Sequence, residues 1–458
     1  MNKINSELDF FKGFTRENDI FNRFRFYESL MKVIKNSPEK NLVFSLDDRW
    51  GQGKTSFVKM MSGDIKSKHD SEFNVIYFDA YENDYYSDPF IPIVAEFHSL
   101  FSDPSSALTT YKDSFLSVAK RVGAAALIGT LKAVITTSTA SLIDGGKLVD
   151  SVAESVKNTS ENLTDSLESY VEKKIISAKE EKQDILAFKE TLSNIHIKSG
   201  KKTVFIIDEL DRAKPDFSLD LLEKIKHLFS VEGVIFILVM NRGQFEKSIE
   251  KRYGGIDSKT YLNKFINYFI TLPKTRNSDI LYHDIVTKPT IYRYIQQIPE
   301  TKVLFDYGSV FHIGLSYLIE INNCSLREAE RCISLMNLFS DSSGKLEYNK
   351  IYATALIIMI FLKVYDSALY DSFISQKTSS QTILMELNLN REPPSGASYE
   401  VIHELMNKLI EFHHLTRRDF DERTTELAKK YPDFYSNNTY PTNPFLYLKE
   451  GLENFSSN

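Results

Sequence analysis

The run Gly51-Gln52-Gly53-Lys54-Thr55 carries the strongest chemical signal in this sequence. Two glycines let backbone N–H groups close around phosphate oxygens without side-chain clash. Lys54 is spaced to meet β- and γ-phosphates, and the Thr55 hydroxyl to ligate Mg²⁺. Trp50 before the run and Ser56 after it complete the candidate loop, and the helix that follows would offer its positive N-terminus to the anion. The usual spacing is G-x-x-x-x-G-K-[ST], whose first glycine is Asp48 here. An acid at the mouth of a phosphate nest either points outward or lowers affinity.

Asp208-Glu209 follows the apolar run VFII. A carboxylate at the end of a strand neighbouring the loop's own strand can hold Mg²⁺, usually through water. A glutamate directly after it can orient and deprotonate the attacking water. Asp211 and Arg212 come next; the bland alternative is a solvated charge cluster. Asn241 ends another apolar run, where it would either sense a γ-phosphate or form a turn. Arg327 and Arg331 are one helical turn apart and share a face. They would reach the nucleotide from a helical lid, complete a neighbour's site, or pair with Glu328 and Glu330.

The elements that position these groups are legible from periodicity. Strands are expected at 42–46, 75–81, 203–208 and 234–241, each apolar enough for a parallel sheet covered on both faces. Ile20, Phe21, Phe24, Tyr27, Leu30, Met31 and Ile34 give helical spacing over 19–36, ended by Ser37-Pro38. Leu219, Leu222, Ile225, Lys226 and Phe229 predict a crossover helix. The stretch between the second and third strands is too long for a plain crossover and reads as an insertion. Its second half, 147–195, has the pattern of long amphipathic helices, paired as a hairpin. Past about 275 the pattern is mostly helical, with a polar loop at 391–398.

Composition narrows the classes. The 458 residues are 42% hydrophobic and 26% charged, which excludes a disordered or collagen-like chain. A net charge of −6 and scattered lysines leave nucleic acid without a basic stripe to bind. Cys324 and Cys332, read as lying in one helix, are too far apart to bridge. With no disulfide framework and no apolar leader run, a cytoplasmic location is expected. Residues 122–143 are the membrane candidate, weakened by Lys132 and several hydroxyl residues, so a buried helix is the alternative. His413-His414, followed by Arg417-Arg418, reads as a solvated face. Tyr81, Tyr85 and Tyr86 with Phe90 read as packing beneath the insertion.

Taken in order, these motifs resemble the KAP family of P-loop NTPases. The likeness rests on DRWGQGKTSF, YFDAYEND, IIDELDR, YLNKFINYFITLP, DIFNRFRFYESL and SLREAER, spanning roughly residues 15–340. It implies an α/β fold: a parallel-sheet, ASCE-like core from 1–90 and 196–275. A helical insertion (91–195), a helical lid (276–345) and a helical C-terminal region (346–458) would complete it. It implies ATP and Mg²⁺ as ligands. The loop 50–56 and Lys54 would hold phosphate, Thr55 and Asp208 the metal, and Glu209 would be the base. Asp211, Arg212 and Arg327 would be accessory, while Asn241 and Arg331 remain catalytic candidates on their positions alone. It also implies an ATPase coupling nucleotide state to a homo-oligomer or a protein effector, with phage defence as one setting. A scaffold that scarcely hydrolyses, and an NTPase anchored through 122–143, are the alternatives. Asp48, Asp79, Tyr81 and Asn241 depart from the family's commoner residues.

Overall fold

The computed structural model describes residues 9–37, 42–101, 108–123, 162–273, 290–298, 309–343, 350–393, 397–414 and 443–453. Five strands form one sheet: β1 (Leu42–Asp47), β2 (Phe73–Asp79), β3 (Lys202–Asp208), β4 (Val234–Met240) and β5 (Tyr268–Ile270). Their order is β2-β3-β4-β1-β5, and every pairing is parallel. The four apolar runs are thus strands of one parallel sheet. The fifth, YFI at the edge, is too short to stand out by pattern. One expectation is corrected: β3 is not a neighbour of β1. β4 lies between them, so the acids project from a strand about 10 Å from the loop's own.

Strand residues alternate between two cores, as a period of two requires. Leu42, Phe44, Leu46, Val204, Ile206, Ile235 and Ile237 face one side. There they bury against α1 (Phe24–Asn36) and α2 (Lys54–Lys68). Val43, Phe205, Ile207, Phe236 and Leu238 face the other. That side is covered by α3 (Phe90–Ser99), α4 (112–123), the end of α5 (Asn162–Ser199) and α6 (Pro215–Lys224). The ends of the insertion therefore share the sheet's core: Phe90 meets Phe188 with ring centroids 5.6 Å apart. The crossover helix ends in a π-type turn, Ile225–Phe229, where Ile225 and Phe229 stay buried and Lys226 is exposed.

α1 starts later than the apolar spacing suggested. Asn22 adopts a left-handed φ of 50°, and the Asp19 carboxylate accepts from the N–H groups of Arg23 and Phe24 at 2.7 and 3.0 Å. Residues 19–22 are therefore a capped turn leading into the helix. They connect to a strap, opened by the 3₁₀ turn Phe10–Lys12, that crosses α2. Buried Asp64 holds it by accepting from Phe14 N–H at 3.1 Å.

Beyond the sheet, α7 (Arg242–Tyr253) and α8 (Ser258–Leu262) follow β4. A third core is built from α9 (Thr290–Gln297), α10 (Ser309–Ile321), α11 (Leu326–Ser343), α12 (Lys350–Tyr365) and further helices out to Glu453. Ile20 and Phe21 pack against it, tying the turn before α1 to the lid.

Several readings change. His413 is fully buried, not on a solvated face; its ring nitrogens meet Phe373 O at 2.9 Å and Asn443 Oδ1 at 3.3 Å. Tyr81 and Tyr85 are 57% and 68% exposed, so Phe90 alone of that group packs under the insertion. Both cysteines are free, and Cys324 precedes α11 rather than lying in it. Of the expected helical pair over 147–195, the described part, 162–195, belongs to the single continuous helix α5, while 147–161 and nearly all of 122–143 fall outside the described residues. Among the described residues no helix is long and apolar enough to cross a membrane.

Candidate functional site

The site forms where β1, β3 and β4 end, at the carboxyl edge of the sheet, the usual place for ligands in open parallel sheets. The turn from β1 into α2 holds Gly51 and Gly53 at φ of 75° and 79°. These left-handed conformations suit glycine and turn successive N–H groups into one concavity. Gly51 is also steric: an added Cβ would lie 2.9 Å from Ser325 Cβ and 3.1 Å from Arg327 Cβ. The lid thus sits directly on the loop, and Leu326 N–H donates to Gly51 O at 3.0 Å. A reciprocal cap fixes the start of α11. Glu328 Oε2 accepts from Ser325 N–H at 2.6 Å, and Ser325 Oγ from Glu328 N–H at 3.2 Å.

Lys54 is buried, and its ammonium donates to the carbonyls of Asp48 and Arg49 at 2.5 and 3.0 Å. Burial pulls its pKa down, opposed by Asp211, Asp48, Glu209 and Asp208. Asp208 is 1% exposed, and burial pushes its carboxyl pKa up. Its Oδ1 accepts from Glu209 N–H at 2.9 Å and its Oδ2 from the Tyr77 hydroxyl at 2.9 Å. Glu209 adopts φ 56°, a strained conformation for a residue with a side chain. Its carboxyl pKa is raised by burial and by Asp208, while Arg212 opposes the rise. Glu209 Oε1 accepts from the Thr55 hydroxyl at 3.3 Å and Oε2 pairs with Arg212 Nε at 2.7 Å.

The crevice brings together Trp50, Gly51, Gly53, Lys54, Thr55 and Ser56 from the loop, Asp208, Glu209 and Arg212 from the end of β3, and Arg327 from the lid. Gln52, Arg331 and Asn241 are not among its lining residues. Asn241 caps α7, its side-chain oxygen accepting from Gln244 N–H at 3.3 Å. Asp48 turns onto its own loop, accepting from Arg49 N–H at 2.8 Å. Asp211 accepts from the Trp50 indole N–H.

Two further residues lie within the motifs DIFNRFRFYESL and YFDAYEND, but nothing local in the sequence gives either a role. Arg23, 6% exposed at the start of α1, donates from Nη2 to Gln52 O at 3.0 Å and from Nη1 to Gly53 O at 3.4 Å. Tyr77, on β2, is the Asp208 partner already described. The crevice is also walled by Phe10, Ile20, Phe21, Tyr294 and Leu326, mostly apolar groups from the strap and the lid.

The donor set at the acid corner is all oxygen: one hydroxyl and two carboxylates. The Thr55 hydroxyl also lies near enough to Asp208 to offset part of the rise in its carboxyl pKa, so hydroxyl and acid share one corner. Such donors suit a hard cation like Mg²⁺. Among the described residues no cluster of three or more His, Cys, Asp or Glu side chains could hold a metal. A cation here would complete its shell with oxygens from outside the chain, water or phosphate.

A glycine turn between strand and helix, with acids on a strand one place removed, defines a P-loop NTPase fold. The family comparison agrees: the KAP family P-loop domain matches residues 23–283. The chain belongs to the KAP family. No curated protein matches it. Among solved structures it is similar to the Aeropyrum pernix ORC2 protein, in ADPNP and ADP complexes. That match is 10% identical with a TM-score of 0.35, over 96% of this chain and 92% of the other.

Proposed function

We propose that this chain binds ATP with Mg²⁺ between loop, acid pair and lid, and hydrolyses it. The nucleotide's state would set the seating of α11 and, through it, assembly of a homo-oligomer or engagement of a protein effector. The observation that carries this reading is the meeting of Thr55, Asp208 and Glu209 at one corner of the loop, Thr55 and Glu209 at 3.3 Å. Thr55 and Asp208 would hold Mg²⁺, which when bound supplies positive charge against the γ-phosphate. Lys54 exchanges its loop carbonyls for phosphate oxygens. Glu209 takes a proton from the attacking water once Arg212 releases its carboxylate. Arg327 closes the phosphate end from the lid. Gln52, Arg331 and Asn241 have supporting roles through the loop, the lid face and α7 respectively. The apolar wall formed by the strap and Tyr294 suits a flat base.

Purified protein with ATP and Mg²⁺ tests this, with phosphate release and particle mass measured together. Lys54→Ala is expected to lose nucleotide binding, and Glu209→Gln to bind but release no phosphate. Unchanged binding in Lys54→Ala refutes the site.

A second reading, a nucleotide-gated scaffold with little turnover, is favoured by the two occupied oxygens of Glu209. It predicts a nucleotide-dependent mass without phosphate release. The phage-defence setting rests on family likeness. Plating phage on cells carrying the wild type or Glu209→Gln tests it, and equal plaque counts count against it. Membrane anchoring through 122–143 is tested by fractionating the chain with and without that stretch.

A further inference from the structure

On β2, Tyr77 stands opposite Ile206 of β3, and Asp79 opposite Asp208. Tyr77 and Asp208 are therefore diagonal neighbours, within reach for a long side chain. The phenol spans that diagonal and donates to Asp208 Oδ2 at 2.9 Å. Its ring is fixed independently: Phe11 meets it edge-on with centroids 5.5 Å apart, and the Lys59 ammonium lies 5.5 Å from its centroid. With Glu209 N–H on Oδ1, both carboxylate oxygens of Asp208 are pinned, and the plane of the group is set.

We propose that Tyr77 is a positioning residue for the metal-holding carboxylate: its hydroxyl orients Asp208 toward Thr55, and with it any Mg²⁺ the two share. The proposal rests on the Mg²⁺–ATP reading above. A phenylalanine would fill the same space and keep the contacts with Phe11 and Lys59. The hydroxyl is needed only because Asp208 is buried and must present its remaining lone pairs in one direction. Partners of this kind typically tune metal affinity by roughly 10–100-fold.

The test is Tyr77→Phe, with the Kd of a non-hydrolysable ATP analogue measured in EDTA and in excess Mg²⁺. The expected result is an unchanged Kd in EDTA and a roughly 10–100-fold weaker Kd in Mg²⁺. Equal weakening in both, or none in either, overturns the proposal; the first would mean that Tyr77 only ties β2 to β3. Thermal melting of the variant identifies a folding defect. Asp208→Asn and the double variant give a second route: Tyr77→Phe should add no further loss in Mg²⁺ once Asp208 is gone, and additive losses overturn the proposal. If Lys54→Ala still binds the analogue, the site reading itself falls. If it loses binding while Tyr77→Phe matches the wild type in both media, only the role of Tyr77 falls.

Discussion

Arg23 holds the peptide planes that must face phosphate, and replacing it should separate folding from binding. Burial lowers its guanidinium pKa from 12.5 to about 10, although Asp48 and Asp19 pull the other way. At about 1.4 kcal/mol per tenfold change in proton affinity, keeping the charge there carries a net penalty of about 3 kcal/mol. Among the described residues Nε has no partner, and the guanidinium lies 4.7 Å from the Phe21 ring centroid. Arg23→Met removes that penalty and keeps much of the packing. It strips donors from Gln52 O and Gly53 O, at about 1–3 kcal/mol for each carbonyl left dry. The opposing terms nearly cancel, so the melting temperature should move by only a few degrees. Affinity should not be spared. Ordering one freed loop residue costs about 1–2 kcal/mol, so ordering two weakens the nucleotide by about thirtyfold or more. Asp48→Asn should act with opposite signs. It removes a counter-charge from both Arg23 and Lys54, lowering stability, and removes an acid near the phosphates, tightening the nucleotide. The two sites should couple by about 0.5–3 kcal/mol in a double-variant cycle read by denaturant melts. A large fall in stability for Arg23→Met with unaltered nucleotide affinity refutes the reasoning.

Gly51→Ala puts a methyl group against Ser325 and Arg327 in a backbone conformation that costs a side chain about 1–2 kcal/mol. Nucleotide affinity should fall at least about tenfold as the lid is pushed off the loop; wild-type affinity would show that the lid need not touch Gly51. Ser325→Ala should lower stability by about 1 kcal/mol through loss of the reciprocal cap, visible in thermal melts. No change would mean that Glu328 caps alone. With Glu209 as the proposed base, it must be deprotonated to accept a proton; burial and Asp208 raise its carboxyl pKa, so phosphate release should be lost as pH drops, at a pH above the ordinary carboxylate range. Arg212 opposes that rise, so Arg212→Met should move the acid limb further up; an acid limb that stays put refutes the assignment.

The glycine loop and the acid pair were legible because each is a run of consecutive residues joined to an apolar strand, and local geometry needs little more. Strand order was not. A sequence shows that β3 ends in acids, but only pairing shows β4 lying between it and β1. Asn241 and His413 show a different limit. The same amide serves a phosphate or a helix N-terminus, and here it accepts from Gln244 N–H. A histidine beside arginines looks solvated until Phe373 and Asn443 close around it.

Arg23 and Tyr77 were the hardest to read, for a shared physical reason. Each acts on a residue far away in the chain: Arg23 on the loop about thirty residues on, and Tyr77 on an acid 131 residues on. Inside their own elements they look ordinary. Arg23 sits at the start of an amphipathic helix, where basic residues are common, and Tyr77 in a strand, where aromatics are favoured. Their roles come from register and from the turn that Asp19 and Asn22 impose before α1. Had that helix run on from residue 19, as its apolar spacing suggests, the capped turn that sets the start of α1 would be gone. The guanidinium would lose the placement that puts it on the loop carbonyls. A two-residue cap thus decides whether a buried cation supports the nucleotide loop, and disrupting it with Asp19→Ala should weaken nucleotide binding in the same direction as Arg23→Met.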